Sequence, residues 1–219
     1  MLQIEGLSVK IQNLTILRDI SIAVPKGKIV SLVGRNGAGK TTTMRSVLGL
    51  TKINSGTIRL NDIDLSITPV HNRVKQGIGY MPEDRRIIPP ITVEENIIMS
   101  TWAGKLDDIE ERLAKVYEQL PEVKAFSKRT GAQLSGGQQK LVALARAMFT
   151  SRTLLLLDEP FEGVAPALVD RMWSTIRDYQ EDLPILVSTS EYAEVEQWSD
   201  KSYVIDRGEI IEVKEGAIT

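Results

Sequence analysis

Gly34-Arg35-Asn36-Gly37-Ala38-Gly39-Lys40-Thr41 fits the pattern GxxxxGK[ST] and sits between an apolar, strand-length run, Ile29 to Val33, and a segment that reads as a helix to about Leu48. Few local patterns restrict a fold as strongly. The glycines let backbone N–H groups turn inward around an anion, and the following helix presents its positive end to the same point. Lys40 can reach the outer phosphates of a nucleoside triphosphate, and Thr41, followed by Thr42, offers a hydroxyl to Mg²⁺. The bland alternative is a glycine-rich turn that binds nothing, and the strand before it and helix after it weigh against that reading.

The rest of the 219-residue chain agrees with an α/β frame. Apolar runs at Lys28 to Val33, Ile78 to Met81, Thr153 to Leu157 and Pro184 to Val187 are continuous rather than alternating, as strands buried on both faces require. Between them lie helical periods: Leu141, Leu144, Ala145 and Met148 after Gly136-Gly137, and Val169, Trp173 and Ile176 after Pro166. The expected fold class is therefore α/β with a mainly parallel core sheet. An antiparallel β subdomain is expected over about residues 1–27, the core α/β unit over about 28–91 and 151–219, and a helical subdomain over about 92–150.

Composition removes whole classes of chemistry. With no cysteine and one histidine, His71, the chain has no disulfide, no thiolate metal site and no His-rich cluster, and a Ser-His-Asp triad is disfavoured. His71 itself reads as a surface or helix-start residue. No run approaches the roughly 18 to 20 apolar residues of a membrane span, and Met1 leads straight into a strand pattern, so neither a span nor a signal peptide is expected. The chain ends soon after Val213, so no appended regulatory domain is expected. A net charge of −2 gives no general drive toward nucleic acid or anionic lipid.

Two further motifs carry chemistry. Leu154-Leu155-Leu156-Leu157-Asp158-Glu159 delivers adjacent carboxylates to the C-terminal end of a buried strand, where open α/β sheets bind ligands. Neighbouring side chains on a strand point to opposite sides, so Asp158 is suited to the Mg²⁺ shell and Glu159 to a water aligned on the γ-phosphorus. Leu134-Ser135-Gly136-Gly137-Gln138-Gln139-Lys140 opens a second helix. It reads either as another anion-binding turn or as a plain serine N-cap with a flexible entry.

In this order and at this separation, GRNGAGKTT, LSGGQQK and LLLLDEP resemble the nucleotide-binding subunits of ABC transporters over essentially the whole chain. The resemblance implies a P-loop cassette with ATP and Mg²⁺ as cofactors, and hydrolysis of ATP to ADP and phosphate. Two such subunits would pack head to tail, Ser135, Gly136, Gly137 and Gln138 of one closing over the ATP gripped by Lys40 of the other. Narrower segments, Gly77 to Arg86, Ile91 to Asn96 and Glu159 to Pro166, resemble the ATPases of branched-chain amino acid importers and of related urea importers. In that group an acid stands at Glu83, where the wider superfamily has glutamine, and the resemblance places Glu83 with Thr41 and Asp158 as a metal ligand.

Three positions depart from the wider pattern. Ile11 stands where an aromatic ring usually stacks on adenine, which predicts weak base selectivity. Ser190 stands where most relatives have a histidine facing the γ-phosphate. A serine offers one neutral hydrogen bond there and predicts slow basal turnover; it could equally cap a helix beginning at that point. The carboxylate of Glu83 repels phosphate oxygens when metal is absent and predicts a steep Mg²⁺ dependence of nucleotide binding.

The resemblance further implies a second ATPase subunit, alike or different, integral membrane permeases, a solute-binding protein, and a peripheral position on the cytoplasmic face of the membrane. The apolar stretch Ile87-Ile88-Pro89-Pro90-Ile91 either receives a permease segment or packs the helical lobe on the sheet. The PFEGVAP stretch also resembles export and envelope-lipid ATPases. A non-transport ATPase acting on nucleic acid is disfavoured by the lack of a basic face, and a low-turnover regulatory module is the remaining rival.

Overall fold

The computed structural model describes residues 1–103, 108–180 and 182–216. In chain order, β1 (Leu2–Ile11) and β2 (Leu14–Val24) form a hairpin, and β3 (Ile29–Val33) runs into α1 (Lys40–Val47). Next come β4 (Ser55–Leu60), β5 (Ile63–Asp64), α2 (Val70–Val74), β6 (Ile78–Met81), α3 (Val93–Ile98), α4 (Ile109–Gln119) and α5 (Pro121–Ala125). The chain closes with α6 (Gly136–Thr150), β7 (Leu154–Asp158), α7 (Pro166–Gln180), β8 (Ile185–Thr189), β9 (Lys201–Asp206) and β10 (Glu209–Glu215).

The strands form two sheets, β2-β1-β4-β5 and β10-β9-β3-β8-β7-β6. In the second, β9, β3, β8, β7 and β6 are mutually parallel and β10 pairs antiparallel with β9. The first sheet is antiparallel as expected, but it is not complete within residues 1–27. Ile4 lies opposite Ile58, and β4 and β5, from the stretch assigned to the core unit, supply its other half. The cause is burial: Leu2, Ile4, Leu7, Ile58 and Leu60 are at most 1% exposed and share one core, which a lone hairpin could not enclose.

Continuous apolar runs are explained by cores on both faces of the parallel sheet. Leu155 and Leu157 of β7, with Ile185 and Val187 of β8, pack against α6, α7 and the helical lobe. Leu154, Leu156 and Leu186 face the antiparallel sheet and α1. Each such fully buried side chain contributes about 1.5–3 kcal/mol, so a polar substitution on either face is costly. α6 lies directly on β6 because Gly79 has no side chain: a Cβ there would stand 2.2 Å from the Ala147 carbonyl oxygen.

The helical lobe starts with a capping box, Thr92 Oγ1 accepting from the Glu95 N–H while the Glu95 carboxylate accepts from the Thr92 N–H. Fully buried Asn96 accepts from the Ile88 N–H at 2.8 Å and donates to the Ile88 carbonyl at 3.0 Å, fixing the strand-to-lobe crossing. No helix among the described residues is long and apolar enough to cross a membrane.

Candidate functional site

Because β3, β6, β7, β8 and β9 run parallel, their C-terminal ends share one edge of the sheet, and Lys40, Thr41, Glu83, Asp158, Glu159 and Ser190 collect there. The loop leaving β3 is tied down on two sides. The Gly34 N–H donates to the Thr189 carbonyl at 3.1 Å, and the Ala38 carbonyl accepts from the Gly208 N–H at 2.9 Å. Gly37 and Gly39 have φ of 82° and 117°, left-handed values that a side chain resists. A Cβ on Gly39 would stand 2.5 Å from Leu17 Cδ2, whereas one on Gly37 would meet nothing within 4 Å. Gly37 is therefore required by its left-handed backbone and not by packing.

α1 begins at Lys40 with Gly39 as N-cap, without a side-chain cap and without an acid in its first turn. Its leading N–H groups and the positive end of its dipole are left for an external anion. Arg35, Asn36 and Gly37 are exposed, Ala38 is buried, and Thr41 and Thr42 are half-buried. Lys40 is buried, and its ammonium donates to the carbonyl oxygens of Gly34 and Arg35. It also stands 3.0 Å from Glu159 Oε1, with the two side chains 4% and 7% exposed. The phosphate-loop lysine is thus neutralised from within the chain.

The two adjacent acids do divide their surroundings. Asp158 ends β7 fully buried and accepts from Thr41 Oγ1 at 3.2 Å, Ser188 Oγ at 2.5 Å and Tyr80 Oη at 3.3 Å. Burial and the Asp158 charge push the Tyr80 hydroxyl well above its usual range, so it remains a donor. Ser188 and Tyr80 were not singled out from the sequence. The available signal was a hydroxyl within a run that is otherwise apolar and buried on both faces.

Glu159 adopts a left-handed backbone, φ 47°, unusual for a residue with a side chain. Its N–H donates to Ser188 O at 3.1 Å and lies 3.2 Å from Ser188 Oγ, while its carbonyl accepts from Lys140 Nζ at 2.6 Å. Oε2 accepts from the Ser190 N–H at 3.2 Å. Oε1 is buried and has no hydrogen-bond partner among the described residues, so its contact with Lys40 is coulombic rather than a directed bond. An acceptor held by charge alone can still take a donor, so this oxygen marks where a polar ligand or water fits.

Ser190 reaches this cluster through its backbone; its side chain is exposed. It does not cap a helix. The next ordered element is a three-residue 3-10 turn, Tyr192–Glu194, whose N-cap is Glu191. Glu83, just past β6, is exposed but stands in the field of the same acids. Partial desolvation, then Glu162, Asp158 and Glu159, hold its carboxyl above the ordinary range.

The donor set suits Mg²⁺. Thr41 and Asp158 bring a hydroxyl and a carboxylate together. Mg²⁺ takes one or two protein oxygens and completes its shell with phosphate and water. No group of three or more His, Cys, Asp or Glu ligands occurs among the described residues.

Ser135 forms a capping box at α6: its hydroxyl accepts from the Gln138 N–H at 3.3 Å and its N–H donates to Gln138 Oε1 at 3.0 Å. Ser135 and Gly136 are exposed, and Gly137 and Gln138 half-buried. Among the described residues no hydrogen bond or ion pair joins this turn to the Gly34–Thr42 loop. Ile11, at the end of β1 opposite Leu14, is 47% exposed.

The Ile87 to Ile91 stretch divides its roles. Ile87 packs on the core, whereas Ile88 lines an apolar groove of about 500 Å³ with Leu48, Leu50, Val70, Met99 and Arg146. Pro89 and Pro90 are exposed.

The ABC transporter family model matches residues 17–162. The chain is 32% identical to the high-affinity branched-chain amino acid transport ATP-binding protein BraG of Pseudomonas aeruginosa, across 99% of this chain and 94% of that protein. It is 34% identical to the lipopolysaccharide export system ATP-binding protein LptB of Haemophilus influenzae, across 94% of this chain and 87% of that one. A solved ATP-binding subunit of an ABC transporter superposes with a TM-score of 0.87 at 25% identity, covering 98% and 90% of the two chains. A dimeric bacterial ABC transporter cassette shares the fold, with a TM-score of 0.88 at 20% identity over the full length of both.

Proposed function

Because the chain belongs to the ABC transporter family, it is an ATP-binding, ATP-hydrolysing subunit, and we propose that it powers an importer of branched-chain amino acids or a similar small polar solute. The observation that carries this reading is the meeting of Lys40, Thr41, Asp158 and Glu159 at one sheet edge, while the exposed Ser135 turn lies unengaged with its own phosphate loop. A second cassette, a copy of this chain or a different one, completes the site by bringing its Ser135-Gly136-Gly137-Gln138 turn over the nucleotide.

Each residue's work follows from its surroundings. The Gly34–Thr42 loop and the first turn of α1 take the phosphates, and Ile11 offers the base an apolar but non-aromatic contact. Lys40 exchanges Glu159 for phosphate oxygens. The released carboxylate accepts a proton from a water aligned on the γ-phosphorus, so orientation and proton acceptance fall to one group. Thr41 and Asp158, with Glu83 nearby, would hold Mg²⁺, which when bound neutralises charge on the phosphate oxygens. The Ser190 N–H steadies Glu159; its hydroxyl supplies at most a neutral contact, consistent with modest turnover.

Permeases are expected in the apolar groove beside Ile88, placing the subunit on the cytoplasmic face of a membrane and leaving nucleic acid without a role. A solute-binding protein would deliver the solute. LptB-type export is the second reading, favoured by the 34% identity to that protein. Purification from membranes with associated permeases tests both. ATPase activity stimulated by a leucine-loaded solute-binding protein supports import; stimulation by lipopolysaccharide instead overturns it in favour of export.

A further inference from the structure

Lys140 lies on the first turns of α6, five residues past Ser135, and only 3% of it is exposed. A buried ammonium is costly unless it is used, and burial followed by the Arg85 charge pulls it below the usual lysine range. Among the described residues its one hydrogen bond goes to the carbonyl of Glu159, at 2.6 Å. That carbonyl belongs to the residue with the strained φ of 47°. The residue precedes Pro160, a position already disfavouring helical backbone. Ser188 holds the N–H of the same residue, so Glu159 is pinned at both ends of its backbone and its side chain is thereby aimed at Lys40.

We propose that Lys140 is a positioning residue for ATP hydrolysis: it holds Glu159 in the left-handed conformation that keeps its carboxylate at the phosphate site. α6 of a chain then sets the carboxylate facing that chain's own nucleotide, a link separate from the contact its Ser135 turn makes with a neighbour. Without the ammonium, Glu159 relaxes toward an extended backbone and its carboxylate leaves the phosphate lysine. This inference rests on the proposed ATPase site.

The test uses the full chain with Mg²⁺ and ATP. Lys140→Met keeps the apolar stem and removes the donor; Lys140→Arg keeps a cationic donor. Lys140→Met is expected to lower kcat tenfold or more and, by freeing Lys40 from its internal anion, to bind nucleotide at least as tightly as the parent; Lys140→Arg is expected to recover kcat to within about threefold of the parent. In the Glu159→Gln background, Lys140→Met is expected to change the residual rate less than twofold, because Lys140 acts through Glu159. A kcat for Lys140→Met within twofold of the parent overturns the assignment, as does an equal slowing of the Glu159→Gln chain. Should Lys140→Met lack a cooperative melt, Lys140→Gln, a shorter neutral donor, carries the same comparison: a loss in kcat of twofold or more with nucleotide bound no more weakly than by the parent supports the role and a smaller loss overturns it. A parent chain that does not hydrolyse ATP refutes the proposed function and this role together, whereas an active parent with an unaffected Lys140→Met refutes this role alone.

Discussion

Lys40 faces Glu159 at 3.0 Å with both side chains nearly buried, so nucleotide must displace an internal anion before its phosphates can occupy the loop. Glu159→Gln removes that competitor. Deleting one partner of a buried ion pair costs about 3–5 kcal/mol. Here Lys40 keeps the Gly34 and Arg35 carbonyls and glutamine still offers an amide oxygen, so about 1–3 kcal/mol is the reasoned figure. Phosphate supplies the missing charge in the bound state, and the cost therefore falls on the free state alone. By linkage it returns as tighter binding, roughly 5- to 150-fold. ADP is the ligand of choice, because neither hydrolysis nor ATP-driven pairing of subunits then enters. Calorimetry at protein concentrations where the chain is monomeric should show the gain, and the free variant should melt a few degrees lower, at about 2–4 °C per kcal/mol, with the deficit erased by saturating ADP. A variant that binds ADP no more tightly than the parent and melts with it would show that the pair does not compete with nucleotide.

Three further outcomes are expected. Glu83→Gln should flatten the Mg²⁺ dependence of ATP affinity; an unchanged ratio of affinities with and without chelator rules out the repulsion. The Glu83 carboxyl is held above its ordinary value by desolvation and by Glu162, Asp158 and Glu159, so the native chain keeps that proton more tightly than the unfolded chain does. Stability is therefore lost as pH rises from about 4.5 through the raised value, and Glu83→Gln should raise the metal-free Tm at neutral pH but not near pH 4. Ile11→Tyr should raise the preference for ATP over GTP several-fold by restoring a stacking face, measured as the ratio of Kd values; an unchanged ratio would place the base elsewhere. Leu50→Glu, at a groove position already 52% exposed, should abolish co-purification with permeases while leaving nucleotide Kd and Tm within error. Retained association would move the docking surface off this groove.

How legible these features were in the sequence depends on how local their causes are. The phosphate loop, the strand ending in Asp158 and the capping box at Ser135 are each encoded within a dozen residues, by glycine conformation, strand burial and side-chain-to-backbone bonding, and the fold reproduces them where the motifs lie. Ser188, Tyr80 and Lys140 act across 30, 78 and 19 residues of chain, and no local period marks them; what they share is a polar group where packing asks for an apolar one. The same distance rule explains the misplaced subdomain boundary, since Ile58 joins Ile4 only through a pairing across the intervening phosphate loop. Ser190 shows the converse. A local reading offered a helix cap or a hydroxyl toward phosphate, yet the structure uses the one group at that position that no side-chain comparison reports, the backbone N–H, to hold Glu159 Oε2. Replacing Ser190 by alanine should on this account leave turnover within about twofold, whereas a substitution that removes the N–H, Ser190→Pro, should lower kcat far more. Equal effects of the two would return the function at this position to the hydroxyl.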